Sequence, residues 1–147
     1  MDKPCIFYHV FEYLSDVLEH MALHSLLGTT FDPDKVKYYE GNHPELYKNL
    51  RYLKCGKRCF NLPNHKSLKE IDCERTSIRR IPFLPGLQIL RINHTPVKCL
   101  PLLPNLHTLQ CNRNKIIINL YLYPKLTKLN GMKIRRKNID DRNETHT

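Results

Sequence analysis

A chain of 147 residues with a formal charge of +10 is long enough for one domain, or for one repeat array with a cap, and no more. No uninterrupted apolar run approaches the roughly 20 residues of a transmembrane helix, and acidic and polar residues interrupt the apolar N-terminal stretch where a signal peptide needs continuity. The eight histidines are dispersed, and no Gly-rich phosphate loop, G-x-S-x-G or H-E-x-x-H motif is present, so neither an enzyme nor a cofactor is expected.

Residues 1–49 hold four Lys/Arg and eight Asp/Glu, whereas residues 50–147 hold 20 and six. Within the acidic half, residues 5–27 predict helix. Phe7, Val10, Phe11, Leu14, Leu18, Met21 and Leu26 recur at three- and four-residue steps. Ser15 is suited to cap a second helix there, and Gly28 makes a stop. Further short helices are expected after Pro33 and from Pro44, proline being favoured at a first helical position.

From residue 50 onward one phrase repeats. Leu68-Lys-Glu-Ile71-Asp-Cys73, Leu87-Gln-Ile-Leu90-Arg-Ile92 and Leu106-His-Thr-Leu109-Gln-Cys111 start 19 residues apart. A weaker copy precedes them at Leu50-Arg-Tyr-Leu53-Lys-Cys55, and a truncated one follows at Leu126-Thr-Lys-Leu129-Asn. Such a period predicts a solenoid, in which each unit buries its apolar face against its neighbours. Leu68, Ile71 and Cys73 point inward from a short strand, while Ile78, Ile81 and Leu84 close the coil from the far side. Burying each aliphatic side chain stabilises the array by about 1.5–3 kcal/mol. Pro82, Pro85, Pro101 and Pro104 recur in step and disfavour a helix on the far side, so extended or 3-10 backbone is expected there.

The pattern L-x-x-L-x-[C/I]-x-x-[T/N]-x-[I/V], running over residues 50–138, resembles the leucine-rich repeat (LRR) family. The resemblance implies an α+β class: a solenoid with a short-stranded parallel sheet on its concave face and residues 1–49 as a helical N-terminal cap. At the ninth position, where the family carries Asn, Asn114 fits, Thr76 and Thr95 bond partially, and Arg58 does not. Units of this length with Cys at the sixth position and abundant Asn, Lys and Ile look like LRR proteins encoded by large DNA viruses of amoebae. Ile6-Phe-Tyr-His-Val10-Phe11-Glu-Tyr-Leu14 and His43-Pro-Glu-Leu-Tyr-Lys-Asn-Leu50 are also similar to an F-box and its joint with repeats. That second likeness implies a ubiquitin-ligase adaptor, with a ligase subunit as partner, although the customary proline and Trp are missing.

Three of the six cysteines, Cys55, Cys73 and Cys111, occupy the inward repeat position as small apolar residues, a use suited to an intracellular, reducing compartment. Cys55 and Cys59 form a C-x₃-C, but no second pair completes a metal site, so no metal is expected. The outward x residues form rows: Tyr52, Glu70, Ile89, Thr108 and Lys128, then Lys54, Asp72, Arg91, Gln110 and Asn130, with Glu74, Asn93 and Asn112 just beyond. Tyr52, Ile89 and Arg91 are residue types that anchor protein interfaces. The alternative is that Asp72 merely pairs with Lys54 and Arg91 across strands. A basic ridge of Lys57, Arg75, His94 and Arg113, with Arg79, Arg80, Lys98 and Lys115, follows the strands. It suits an acidic protein or nucleic acid, but aromatic residues for base stacking are scarce.

Leu126-Thr-Lys-Leu129-Asn-Gly131-Met-Lys-Ile134 resembles the closing turn of intracellular LRR proteins, and residues 139–147 form a polar tail. The reading is a non-enzymatic module, in the cytoplasm or nucleus (or in a virion, if viral), that binds a protein partner through its concave face and has no membrane association.

Overall fold

The structure, a computed structural model, describes residues 33–135 together with the isolated positions Leu18, Met21 and Ala22. The helix expected over 5–27, the F-box-like pattern inside it and the polar tail otherwise lie outside the described residues.

Six short strands stack in chain order into one parallel sheet: β1 (Tyr38–Gly41), β2 (Tyr52–Cys55), β3 (Glu70–Asp72), β4 (Ile89–Arg91), β5 (Thr108–Gln110) and β6 (Lys128–Leu129). A seventh, β7 (Met132–Lys133), turns back antiparallel to β6. Each coil of the chain returns to the sheet one strand further along, so the molecule is a solenoid. The inward strand positions form its core. Leu53, Ile71, Leu90 and Leu109 are aligned by the register and are at most 2% exposed. Ile78, Leu84, Val97 and Leu103 close the coil opposite them, each buried.

The same hydrogen bonds recur at every step. Where a strand begins, one carbonyl of the preceding coil accepts two consecutive N–H groups. Arg51 O accepts from Lys69 and Glu70 at 2.8 and 3.0 Å, Lys69 O from Gln88 and Ile89 at 2.8 and 3.1 Å, and Gln88 O from His107 and Thr108 at 2.8 and 3.1 Å. Where β3 and β4 end, the bond runs the other way: Cys73 donates to Arg91 O at 2.9 Å and Ile92 to Gln110 O at 2.7 Å, whereas after β2 Gly56 donates back to Gly41 O at 2.7 Å. The central coils are thereby pinned at both ends of their strands, which satisfies backbone groups that burial would otherwise leave at a cost.

Two expectations need correction. The helices anticipated after Pro33 and from Pro44 are single 3-10 turns, Pro33–Lys35 and Pro44–Leu46. Over 33–135 no α-helical element occurs, so this stretch is all-β rather than α+β, while Leu18, Met21 and Ala22 are α-helical. In addition, the sheet begins at Tyr38, within the stretch read as helical. Tyr39 takes the inward position that Leu53 holds in the next coil, and its ring packs 4.9 Å from that of Tyr47. A strand wins here because the chain must return to the stack, which a continued helix would prevent.

At the other end, Asn130 and Gly131 carry φ of 51° and 81°. Two successive left-handed residues make the tight turn that joins β6 to β7, and Asn-Gly accepts that backbone with little strain. The Asn130 side chain then does a strand's work. Its Oδ1 accepts the Cys111 N–H at 2.7 Å, in place of the backbone carbonyl used in earlier coils.

Candidate interaction face

The outward face of the sheet carries two rows in continuous register. Tyr38, Tyr52, Glu70, Ile89, Thr108 and Lys128 face one another strand by strand, as do Glu40, Lys54, Asp72, Arg91 and Gln110. β1 thus adds Tyr38 and Glu40 to the rows read from the sequence. Asn130 leaves its row, because its side chain turns to cap the Cys111 amide. Tyr38 and Tyr52 stand side by side, 59% and 46% exposed, while Ile89 is half-buried.

The charges on this face do pair, but not through Asp72. Lys54 Nζ lies 2.7 Å from Glu40 Oε1, and Arg91 donates to Glu70 across β3 and β4. The Lys54 ammonium holds the Glu40 carboxyl below the usual carboxylate range, and Glu40 in turn raises Lys54. Both groups are solvated, so the pair adds little to stability. Asp72 Oδ1 instead accepts the Glu74 N–H at 3.1 Å, a bond two residues on that shapes the strand's exit. Beyond it, Asn93 donates to Glu74, and Asn93 Oδ1 accepts the Asn112 N–H at 2.7 Å. The polar ladder between these coils therefore runs through the second position after each strand, one step before the ridge. At the ninth repeat position, Thr76 and Thr95 bond within their own coils to Cys73 O and Ile92 O at 2.7 and 2.8 Å. Asn114 bridges to Thr95, donating to its hydroxyl at 3.1 Å and accepting its N–H at 3.2 Å.

Lys57, Arg75, Arg79, Arg80, Lys98, Arg113 and Lys115 are all exposed. No side chain of this ridge makes an ion pair or hydrogen bond among the described residues. Arg75, His94 and Arg113 share a left-handed backbone, with φ of 55°, 56° and 61°. Thus the strand exit bends alike in three successive coils and throws three basic side chains off the same edge. Lys57 lies in a turn of different conformation and only extends the row.

A second edge was not foreseen. The residue before each repeat's first Leu bonds back to the previous coil: Ser67 Oγ to Leu50 O at 2.8 Å and Asn105 Nδ2 to Pro85 O at 2.6 Å. At Gly86, the equivalent position, a Cβ would stand 2.8 Å from Lys66 O. Their spacing of 19 residues was the signal available for this set.

Near β1 a recess of about 390 Å³ is lined by Asn42, His43, Glu45, Arg58, Phe60 and Leu62 among others. His43 Nδ1 donates to Glu45 Oε1 at 3.1 Å, and Asn42 Oδ1 accepts the Arg58 N–H at 2.9 Å. Beside it the Cys59 thiol donates to Asn61 O at 3.4 Å. The neighbouring thiols of Cys59 and Cys73 push Cys55 far up, and Cys55 in turn draws Cys59 down. Cys55, Cys59, Cys73 and Cys111 are buried free thiols, and Cys99 is an exposed one. Among the described residues, no three His, Cys, Asp or Glu side chains converge as metal ligands, and no helix is long and apolar enough to cross a membrane. The sequence matches no protein-family model and no curated protein, and the fold matches no solved structure.

Proposed function

We propose that this chain is a non-enzymatic interaction module of the leucine-rich repeat type, binding a protein partner through the outward face of its sheet. The observation that carries this reading is the pair of in-register rows, with Tyr38 and Tyr52 exposed side by side and Ile89 two strands further on. Rigid aromatic and aliphatic anchors on a flat sheet lose little entropy when covered, and so contribute more than their share to binding. The repeat resemblance supports the same reading and carries with it the intracellular setting and the likeness to viral LRR proteins. Placing a photo-crosslinking residue at Tyr52 in expressing cells tests it. A specific protein adduct that Ile89→Arg abolishes, with the melting temperature unchanged, is the expected result. Adducts that Ile89→Arg leaves intact would remove the sheet face from consideration.

A further inference from the structure

The outer arc of the later coils carries two more rows in register. Arg79 and Lys98 occupy equal positions in successive coils, and both are exposed. A few residues on, Phe83, Leu102 and Leu122 stand at equal positions in three successive coils, 52%, 57% and 49% exposed. The residue after each, Leu84, Leu103 and Tyr123, is buried. The outward turn is therefore imposed by the coil, and large apolar side chains fill positions where any polar residue would fold equally well. A contiguous apolar stripe on a protein surface marks a docking site more often than it marks chance.

Charge identifies what the stripe would accept. From Arg75 to Arg135 the chain holds eleven Lys and Arg and not one Asp or Glu. Among the described residues two acids reach into this stretch, Glu70, which engages Arg91 on the sheet face, and Glu74, which accepts from Asn93. Neither touches Arg79 or Lys98, so among the described residues the cations of the outer arc have no counter-charge. Nucleic acid would satisfy them, yet it would leave the stripe idle. Leu102 and Leu122 offer no aromatic face on which a base could stack. A peptide with carboxylates beside apolar side chains uses both rows.

Spacing selects its conformation. Paired strands lie about 4.8 Å apart, and this sets the order of the step from coil to coil. An α-helix laid along the stack repeats every 5.4 Å, so one apolar residue per turn meets one coil and the register drifts by only about 1 Å from Phe83 to Leu122. An extended peptide presents same-side residues roughly 6.7 Å apart and falls out of step by about 4 Å over the same two coils.

We propose that the outer arc of the later coils is a second docking surface, which takes an acidic amphipathic helix with its carboxylates on Arg79 and Lys98 and its apolar face on Phe83, Leu102 and Leu122. It is independent of the sheet face and stands or falls separately.

The full chain is titrated against three fluorescent probes: a helical peptide with leucine at every third and fourth position and glutamate between, the same peptide with glutamine for glutamate, and an oligothymidylate. The glutamate peptide is expected to bind best and to weaken as salt rises. Leu102→Ser and Lys98→Glu are each expected to reduce its affinity about tenfold. Tyr52→Ala is expected to leave it unchanged, which separates this surface from the sheet face. Equal binding of the glutamine peptide, tighter binding of the oligonucleotide, or indifference to Leu102→Ser each overturns the proposal. So does a dimer in sedimentation that Leu102→Ser dissociates, because the stripe would then be covered by a second copy of the chain.

Discussion

The two ends of the solenoid share a backbone and differ in almost everything attached to it. The coils of β1 to β3 carry Glu40, Glu70, Asp72 and Glu74; Glu40 pairs with Lys54 there, Glu70 with Arg91 of β4, and the tyrosines gather. In the coils of β4 to β6 no carboxylate is present, and His94 and Arg113 repeat the left-handed basic exit that Arg75 begins after β3. The doubly accepting carbonyl that starts each strand is nevertheless the same at Lys37, Arg51, Lys69, Gln88 and His107. The interior and the backbone ladder set the coil, and they leave the surface free to diverge. A repeat protein can in this way keep one stack and assign different chemistry to different stretches of it.

If the ladder and core carry the stability, the largest loss should come from the centre. Leu90→Ala, fully buried between coils, is expected to cost about 2–5 kcal/mol, and Leu129→Ala at the partly buried closing strand clearly less. Urea denaturation of both variants measures this. Equal losses would mean that the stack does not behave as a coupled array.

Between coils, Gly86 tests how close the approach is. Gly86→Ala forces a methyl group against Lys66 O, a backbone atom that cannot swing aside, and is expected to cost about 1–3 kcal/mol by thermal melting. An unchanged melt would show that the two coils separate without penalty.

The closing end depends on a side chain where the middle depends on backbone. Asn130→Ala leaves the Cys111 N–H without its acceptor and puts Ala on a left-handed backbone, for an expected loss of about 1–3 kcal/mol. Hydrogen exchange at the Cys111 amide should accelerate more than at the Ile92 amide, whose acceptor is a backbone carbonyl. Equal acceleration at both would count against a local cap.

The left-handed row sharpens the contrast in the opposite direction. Arg113→Gly relieves a conformation that disfavours side chains and is expected to gain up to about 1 kcal/mol. Lys57→Gly, at a turn without that backbone, is expected to gain nothing.

The smallest effect is on pH. Burial lowers the His65 pKa, while the Tyr47 carbonyl opposes that shift. A base depressed in the folded state is held neutral there. Its contribution is present above the ordinary histidine value and is lost as pH falls below about 6.5. The melting temperature should drop slightly between neutral and mildly acidic pH, and His65→Gln should flatten that slope.

The parallel sheet was legible because L-x-x-L-x-C fixes which side chains point inward, and the alternation of a strand then fixes the outward rows. β1 was hidden because Tyr39 stands where a Leu is usual, so an aromatic pair with Tyr47 replaces the repeat signal. Pro33 and Pro44 mark turn starts as truly as helix starts, and only the need to rejoin the sheet distinguishes them. The charge partners were not readable, because Arg91 reaches diagonally to Glu70 while Asp72 bends to its own backbone, and rotamers decide between such options. The cap formed by Asn130 was within reach, since Asn-Gly after a strand is a hairpin signal in its own right.

The interchangeable joints also have a consequence for descent. Residues 87–105 form one period, and the coils that begin at Leu87 and Leu106 both join the coil before them through two N–H groups on one carbonyl, Lys69 O and Gln88 O. A duplicated copy of this block spliced in after Asn105 would find matching partners above and below, and the closing hairpin would simply move one storey up. The chain can therefore lengthen by copying itself, without inventing a new contact.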